Sequence, residues 1–225
     1  MPRIFRRRFL QTSVATTGLL LCGTRASGNI IGANNRLRVA VAGLNGRGQN
    51  HIDGLAGQDN VEIAWLVDPD QSVLDRSMQK VREQAGSGNS KCQATNGIRR
   101  VLDDKNVDAI SIATPNHWHS LMTIWAAQAG KHVYVEKPMS HDVAEGRIVV
   151  EAQKKYGIVI QHGTQSRSDA GIAGLHEAIQ AGKFGKLKIA YGYCCKPRRG
   201  IGQKSPTAPP SNLDWPLWCG PAMID

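Results

Sequence analysis

The sequence predicts an α/β protein built on an open, doubly wound parallel sheet. Short β-branched runs alternate with segments of helical periodicity from Arg36 to Gln161. Strict alternation of strand and helix gives a parallel sheet through right-handed crossovers. The runs are small or apolar on both sides, as strands covered by helices on each face must be. After His162 the rhythm changes, and 163–225 reads as the incomplete start of a second α/β domain with a mostly antiparallel sheet.

The first strand, 36–42 (Arg-Leu-Arg-Val-Ala-Val-Ala), breaks into Gly43-Leu-Asn-Gly-Arg-Gly48 and resumes as a helix over 47–57. Strand, glycine turn and helix together aim main-chain N–H groups at an anion. The next strand, 61–67, ends on Asp68. A helix follows Pro69, with Val73, Leu74, Met78 and Val81 at helical spacing. Lys91–Thr95 is a weak strand and Ile98–Leu102 a short helix ending near Lys105. Val107–Ala113 is a buried strand closed by Thr114-Pro115, and Trp118–Ala129 a helix stopped by Gly130. His132–Glu136 is a strand ended by Lys137-Pro138, Val143–Tyr156 a helix, and Gly157–Gln161 the last strand. Ala170–Ala181 is helical and Gly182–Gly185 a turn. Leu187, Ile189, Tyr191 and Tyr193 then alternate as on a half-buried antiparallel strand. The Pro- and Gly-rich remainder reads as loop.

In an open parallel sheet, ligands gather beyond the carboxyl ends of the strands. Candidates collect there. The glycine turn supplies Gly43, Asn45, Gly46, Arg47 and Gly48, with Asn at 45 where a G-x-G-x-x-G template has glycine. Asn tolerates positive φ, which preserves the tight turn. Asp68 is placed to accept both ribose hydroxyls of an adenosine, and its charge favours NAD over NADP, a preference Arg47 weakens. Thr114, Pro115, Asn116 and His119 end a third strand, Glu136 and Lys137 a fourth, and Gln165 and Arg167 follow the last. Lys137 is the candidate for chemistry. Partly desolvated beside a cationic ring, it loses its proton more readily and exchanges one with a substrate hydroxyl. His119 packs under the cofactor or donates a hydrogen bond there. His51, His132, His141 and His176 read as surface or helix-packing residues. No metal site is expected: His117 and His119 point apart and find no third ligand, and no C-x-x-C pair exists.

Half of the formal charge of +10 sits in the first 26 residues, which hold five arginines and no acid. No aromatic–basic interleaving accompanies the rest, so nucleic acid is not an expected partner. Arg6-Arg-Arg-Phe-Leu-Gln11 resembles a twin-arginine export motif. A mildly apolar Val14–Cys22 and a Thr24-Arg-Ala26 cleavage signal follow, so 1–26 reads as a signal peptide, 27–35 as a linker and 36–162 as the nucleotide-binding domain. The expected location is periplasmic or otherwise extracytoplasmic. Of five cysteines, adjacent Cys194 and Cys195 would face opposite sides of a strand, and no disulfide is assigned.

With these motifs in order the chain resembles the Gfo/Idh/MocA family of NAD(P)-dependent oxidoreductases, most closely its exported branch. The resemblance runs from Arg36 through Ala113-Thr-Pro-Asn-His-Trp-His119, Glu136-Lys-Pro138, Gly163-Thr-Gln-Ser-Arg167 and Leu213–Pro221. It implies a Rossmann domain followed by an α/β domain that covers the active site and often mediates homo-oligomers. It implies an NAD cofactor, a sugar or cyclitol substrate, and Lys137 as the active-site lysine. Gly46, Arg47, Gly48, Asp68, Asn116, His119 and Glu136 fall at nucleotide-contacting positions. The family's Asp-x-Gly-x-x-His segment is missing before Asp225, so the chain reads as cut off within its second domain. Two other activities stay open on this reading: an NAD-dependent glycosidase that retains its cofactor, and a non-catalytic nucleotide-binding module.

Overall fold

The computed structural model describes residues 36–85, 91–193, 200, 202–203 and 205–222. The expected signal peptide and linker, Cys194 and Cys195 lie outside them. Six strands form one parallel sheet: β1 Leu37–Ala42, β2 Val61–Val67, β3 Gln93–Thr95, β4 Ala109–Ile112, β5 His132–Glu136 and β6 Ile160–Gly163. Their order is β3-β2-β1-β4-β5-β6, so the direction of winding reverses between β1 and β4. That point is where doubly wound sheets open a crevice for ligands.

Two apolar layers sandwich the sheet. Helices α1 (Arg47–Ala56) and α2 (Gln71–Gln84) cover one face through Ile52, Val73, Leu74 and Val81, against Val41, Ile63 and Leu66. On the other face lie α3 (Arg99–Asp103), α4 (His119–Gln128) and α5 (Val143–Tyr156), supplying Val101, Met122, Ala126 and Ala152. Fully buried Ala40, Ala42 and Ala64 present small side chains on that face, which lets the helices pack close against it. Helix starts are written in the sequence. Asp70 accepts from the N–H groups of Ser72 and Val73, Asp142 from Glu145, and Asp169 from Ile172 at the start of α6 (Ala170–Gln180). Gly157, at φ 64°, ends α5.

Three expectations are corrected. The last strand begins at Ile160, not Gly157, because the left-handed Gly157 and the turn-back through Ile158 and Val159 delay pairing until Ile160 stands opposite Val133. It also runs on to Gly163, where the Tyr134 hydroxyl lies 2.4 Å from the place a Cβ would take. The expected strand at 187–193 does not form. Alternation alone does not make a strand without a neighbour to pair with, and no described strand lies alongside. Leu187 and Ile189 are 64% and 66% exposed. The proline-rich remainder is not all loop, since Asp214 accepts from Leu217 N–H to cap a short helix, α7 (Trp215–Cys219).

Candidate dinucleotide site

The loops after β1 and β4 meet at the switch point. A Cβ on Gly43 would lie 2.4 Å from Thr114 N, and one on Gly48 would lie 1.9 Å from Gly43 O. Both glycines are therefore demanded by close main-chain approach. The turn carries two left-handed glycines, Gly43 at φ 81° and Gly46 at φ 78° and ψ −112°, and at Gly46 a Cβ would meet nothing within 4 Å. Asn45 keeps a negative φ, so the expected tolerance of Asn for positive φ is not what saves the turn; the displaced glycine is. No side chain caps α1. In its first turn Gln49 N–H donates to Gly46 O at 3.0 Å, and a helix start that follows a bare glycine with no side-chain cap is a fit for a pyrophosphate.

Asp68 ends β2 but is only 7% exposed. Its Oδ2 accepts from Leu44 N–H at 2.8 Å and its Oδ1 from Asp70 N–H at 3.0 Å. Burial pushes its carboxyl upward, against the pull of those two amides. The carboxylate thus ties the glycine turn to the end of β2, and only its remaining lone pairs are left for a ribose. A cavity of about 540 Å³ opens beside it, lined by Gly43, Asn45, Asp68, Thr114 and Pro115 among others. The Thr114 hydroxyl is buried there with no hydrogen-bond partner among the described residues. Asn116 is exposed at the start of a single 3₁₀ turn.

Glu136, 4% exposed, is the centre of a polar cluster on the α1 face. Oε1 accepts from Arg47 Nε at 3.0 Å and from His51 Nε2 at 3.1 Å, and Oε2 from Gln165 Nε2 at 2.9 Å. Burial works to raise its pKa, yet hydrogen bonds from Arg47, Gln165 and His51 outweigh burial and hold it at about 2. Burial lowers the His51 pKa, against the opposing pull of Glu136. Its Nδ1 lies 2.8 Å from Ser111 Oγ, which fits a neutral ring that donates to Glu136 and accepts from the hydroxyl. Reading His51 as a surface or packing residue missed this. The signal was available: Arg47 and His51 stand four apart on one helix, above Ser111, Tyr134 and Glu136 on one face of otherwise apolar strands.

Other candidates fall differently from expectation. His119 is 2% exposed, with Nδ1 on Pro138 O and Nε2 2.8 Å from Thr114 O. Neither nitrogen is left for a nucleotide, so it braces the two loops from below. Gln165 spends its amide on Glu136. Arg167 is exposed in the following 3₁₀ turn. Lys137, one residue beyond β5, is exposed rather than partly desolvated, because nothing described covers the loop it stands on. Among the described residues no cluster of His, Cys, Asp and Glu is arranged for a metal ion.

The sheet order, the switch-point turn and the uncapped helix define the dinucleotide-binding class of α/β domain. Residues 37–164 match the family described as "Oxidoreductase family, NAD-binding Rossmann fold". The chain belongs to this Gfo/Idh/MocA family. It is 31% identical over 148 residues to 4-carboxy-2-hydroxymuconate-6-semialdehyde dehydrogenase of Sphingobium sp., covering 66% of this chain and 44% of that one. It is 34% identical over 152 residues to scyllo-inositol 2-dehydrogenase (NAD(+)) of Bacillus subtilis, covering 68% and 42%. Among solved structures it resembles the WlbA dehydrogenase of Bordetella pertussis in complex with NADH and UDP-GlcNAcA. There the TM-score is 0.59 and the identity 26%, with 67% of this chain and 41% of that one covered. The chain thus spans less than half the length of these relatives.

Proposed function

We propose that the chain serves an NAD(H)-dependent oxidoreductase acting on a hydroxyl of a sugar or cyclitol, with Lys137 as proton donor and acceptor. The observation that carries this is the placement of Lys137. It follows Glu136 at the carboxyl end of β5, on the sheet edge that holds the glycine turn, and its side chain is free to meet a substrate. Glu136 is committed to Arg47, His51 and Gln165, which leaves Lys137 as the base on that strand end. Bound NAD⁺ supplies the hydride acceptor. In its neutral form the Lys137 amine takes the hydroxyl proton as the carbonyl forms, and in the reverse direction the ammonium returns it. The inositol dehydrogenase among the relatives supports a cyclitol-like substrate. The carboxylate of Asp68 supports NAD over NADP, and the arginine-rich start supports export by the twin-arginine route.

Calorimetry with NADH and NADPH tests the first half of the reading. NADH binds and NADPH binds more weakly; no heat with either overturns it. Incubation with NAD⁺ and a panel of inositols and aldoses then tests the chemistry through the appearance of NADH absorbance. Lys137→Ala lowers that turnover by about 10²-fold or more while NADH affinity is kept. A variant as active as the parent removes Lys137 from the mechanism.

A further inference from the structure

Residues 212–220 come from far along the chain yet lie across the loops that follow β2, β3 and β4. Asp214 N–H donates to Pro69 O at 2.9 Å, and Gln71 N–H donates to Asn212 O at 2.9 Å. Asn96 Nδ2 donates to the Asp214 carboxylate at 3.0 Å, and Trp118 Nε1 to Leu217 O at 3.0 Å. His117 Nε2 lies 2.9 Å from Trp218 O. At Gly220 a Cβ would sit 2.3 Å from the Trp118 ring, so the segment is pressed down at its far end as well. These bonds strap α7 over the cavity that begins at Gly43 and Asp68, and Leu213, Leu217 and Trp218 line that cavity's outer side.

We propose that Leu217 and Trp218 form the outer wall of an adenine pocket, built by this strap and resting on the dinucleotide reading above. The order of groups along the cleft argues for it. A pyrophosphate at the start of α1 places the adjoining ribose beside Asp68, and the next group outward enters the space between Ile98 and the strap. Ile98, Leu213, Leu217 and Trp218 give that cavity apolar surface, with Thr95, Asn96 and Arg99 as its polar groups, a mixture that suits a purine. Trp218 is 39% exposed although the strap is firmly bonded, which leaves ring surface for a base to cover. Leu217 touches the loop after β3 and would lie 3.6 Å from a Cβ on Gly97, so the wall is continuous with the loop.

Titration of the full chain with NADH and with ADP-ribose tests this. Trp218→Ala weakens both ligands by the same factor, about tenfold, because both carry the adenosine half. Trp218→Phe, which keeps a ring, restores most of the affinity. Should Trp218→Ala melt at room temperature, Leu217→Ala gives the same paired loss. A parent chain that binds both ligands while Trp218→Ala and Leu217→Ala bind them equally well overturns the wall and leaves the dinucleotide reading standing. Loss confined to NADH, or a Phe variant as weak as Ala, also overturns it. A parent that binds neither ligand sinks both proposals.

Discussion

At the scale of the residue, Glu136 carries the clearest consequence. Its folded pKa of about 2 lies below its ordinary 4.5, so the native state binds the proton less readily than the unfolded chain does. The resulting stabilisation is fully present above about pH 4.5 and disappears as pH falls towards about 2. Such a shift corresponds to roughly 2–3 kcal/mol, trimmed because the Arg47 side chain is 46% exposed and partly screened. Glu136→Gln is expected to lose about that much stability in urea melts at neutral pH and to converge with the parent in strong acid. Parallel melting curves at every pH would show that the carboxylate's charge contributes nothing. His51 adds a smaller dependence of the same sign at higher pH: its lowered pKa favours the folded state above the ordinary histidine range and loses that advantage on acidification.

At the scale of the element, the glycine turn separates two reasons for glycine. Gly48→Ala forces a methyl group to within 1.9 Å of a main-chain oxygen that has no rotamer to escape into. The turn must open, and a loss of about 3 kcal/mol is expected. At Gly46 there is room, so Gly46→Ala meets only backbone strain at φ 78° and loses about 1–2 kcal/mol. Thermal melts rank the two variants, and the reverse order would contradict this account of the turn. The sequence displayed the turn through its glycines and their position between strand and helix. It could not display that Gly43 and Gly46 take positive φ while Gly48 does not, because that depends on the path of the folded turn. Strand and helix existence was readable from period and caps for the same local reason. Glu136 as a hub was half-readable, since two of its partners share one helix face.

At the scale of the whole molecule, the features that escaped sequence reasoning are those joining distant parts of the chain. Asp70 bridges Leu213 across an antiparallel step, and no local periodicity encodes that contact. The strand expected at 187–193 failed for the converse reason: its alternation is real, but a strand needs a neighbour as well as a pattern. The outcome is a row of apolar side chains in water, with Tyr191 and Tyr193 both 83% exposed beside Leu187 and Ile189. Soluble monomers rarely present such a run uncovered, and unpaired main chain along it is a template for a second chain. Association is therefore expected at micromolar concentration and should weaken on dilution. Replacing Leu187, Ile189 and Tyr191 together by serine removes the apolar side chains but leaves the sheet and the cleft untouched, so NADH affinity is retained. Light scattering over a dilution series measures the association of parent and variant, and an NADH titration measures the affinity. A parent chain that stays monomeric throughout, or a triple variant that associates as strongly, would show that this row does not drive assembly.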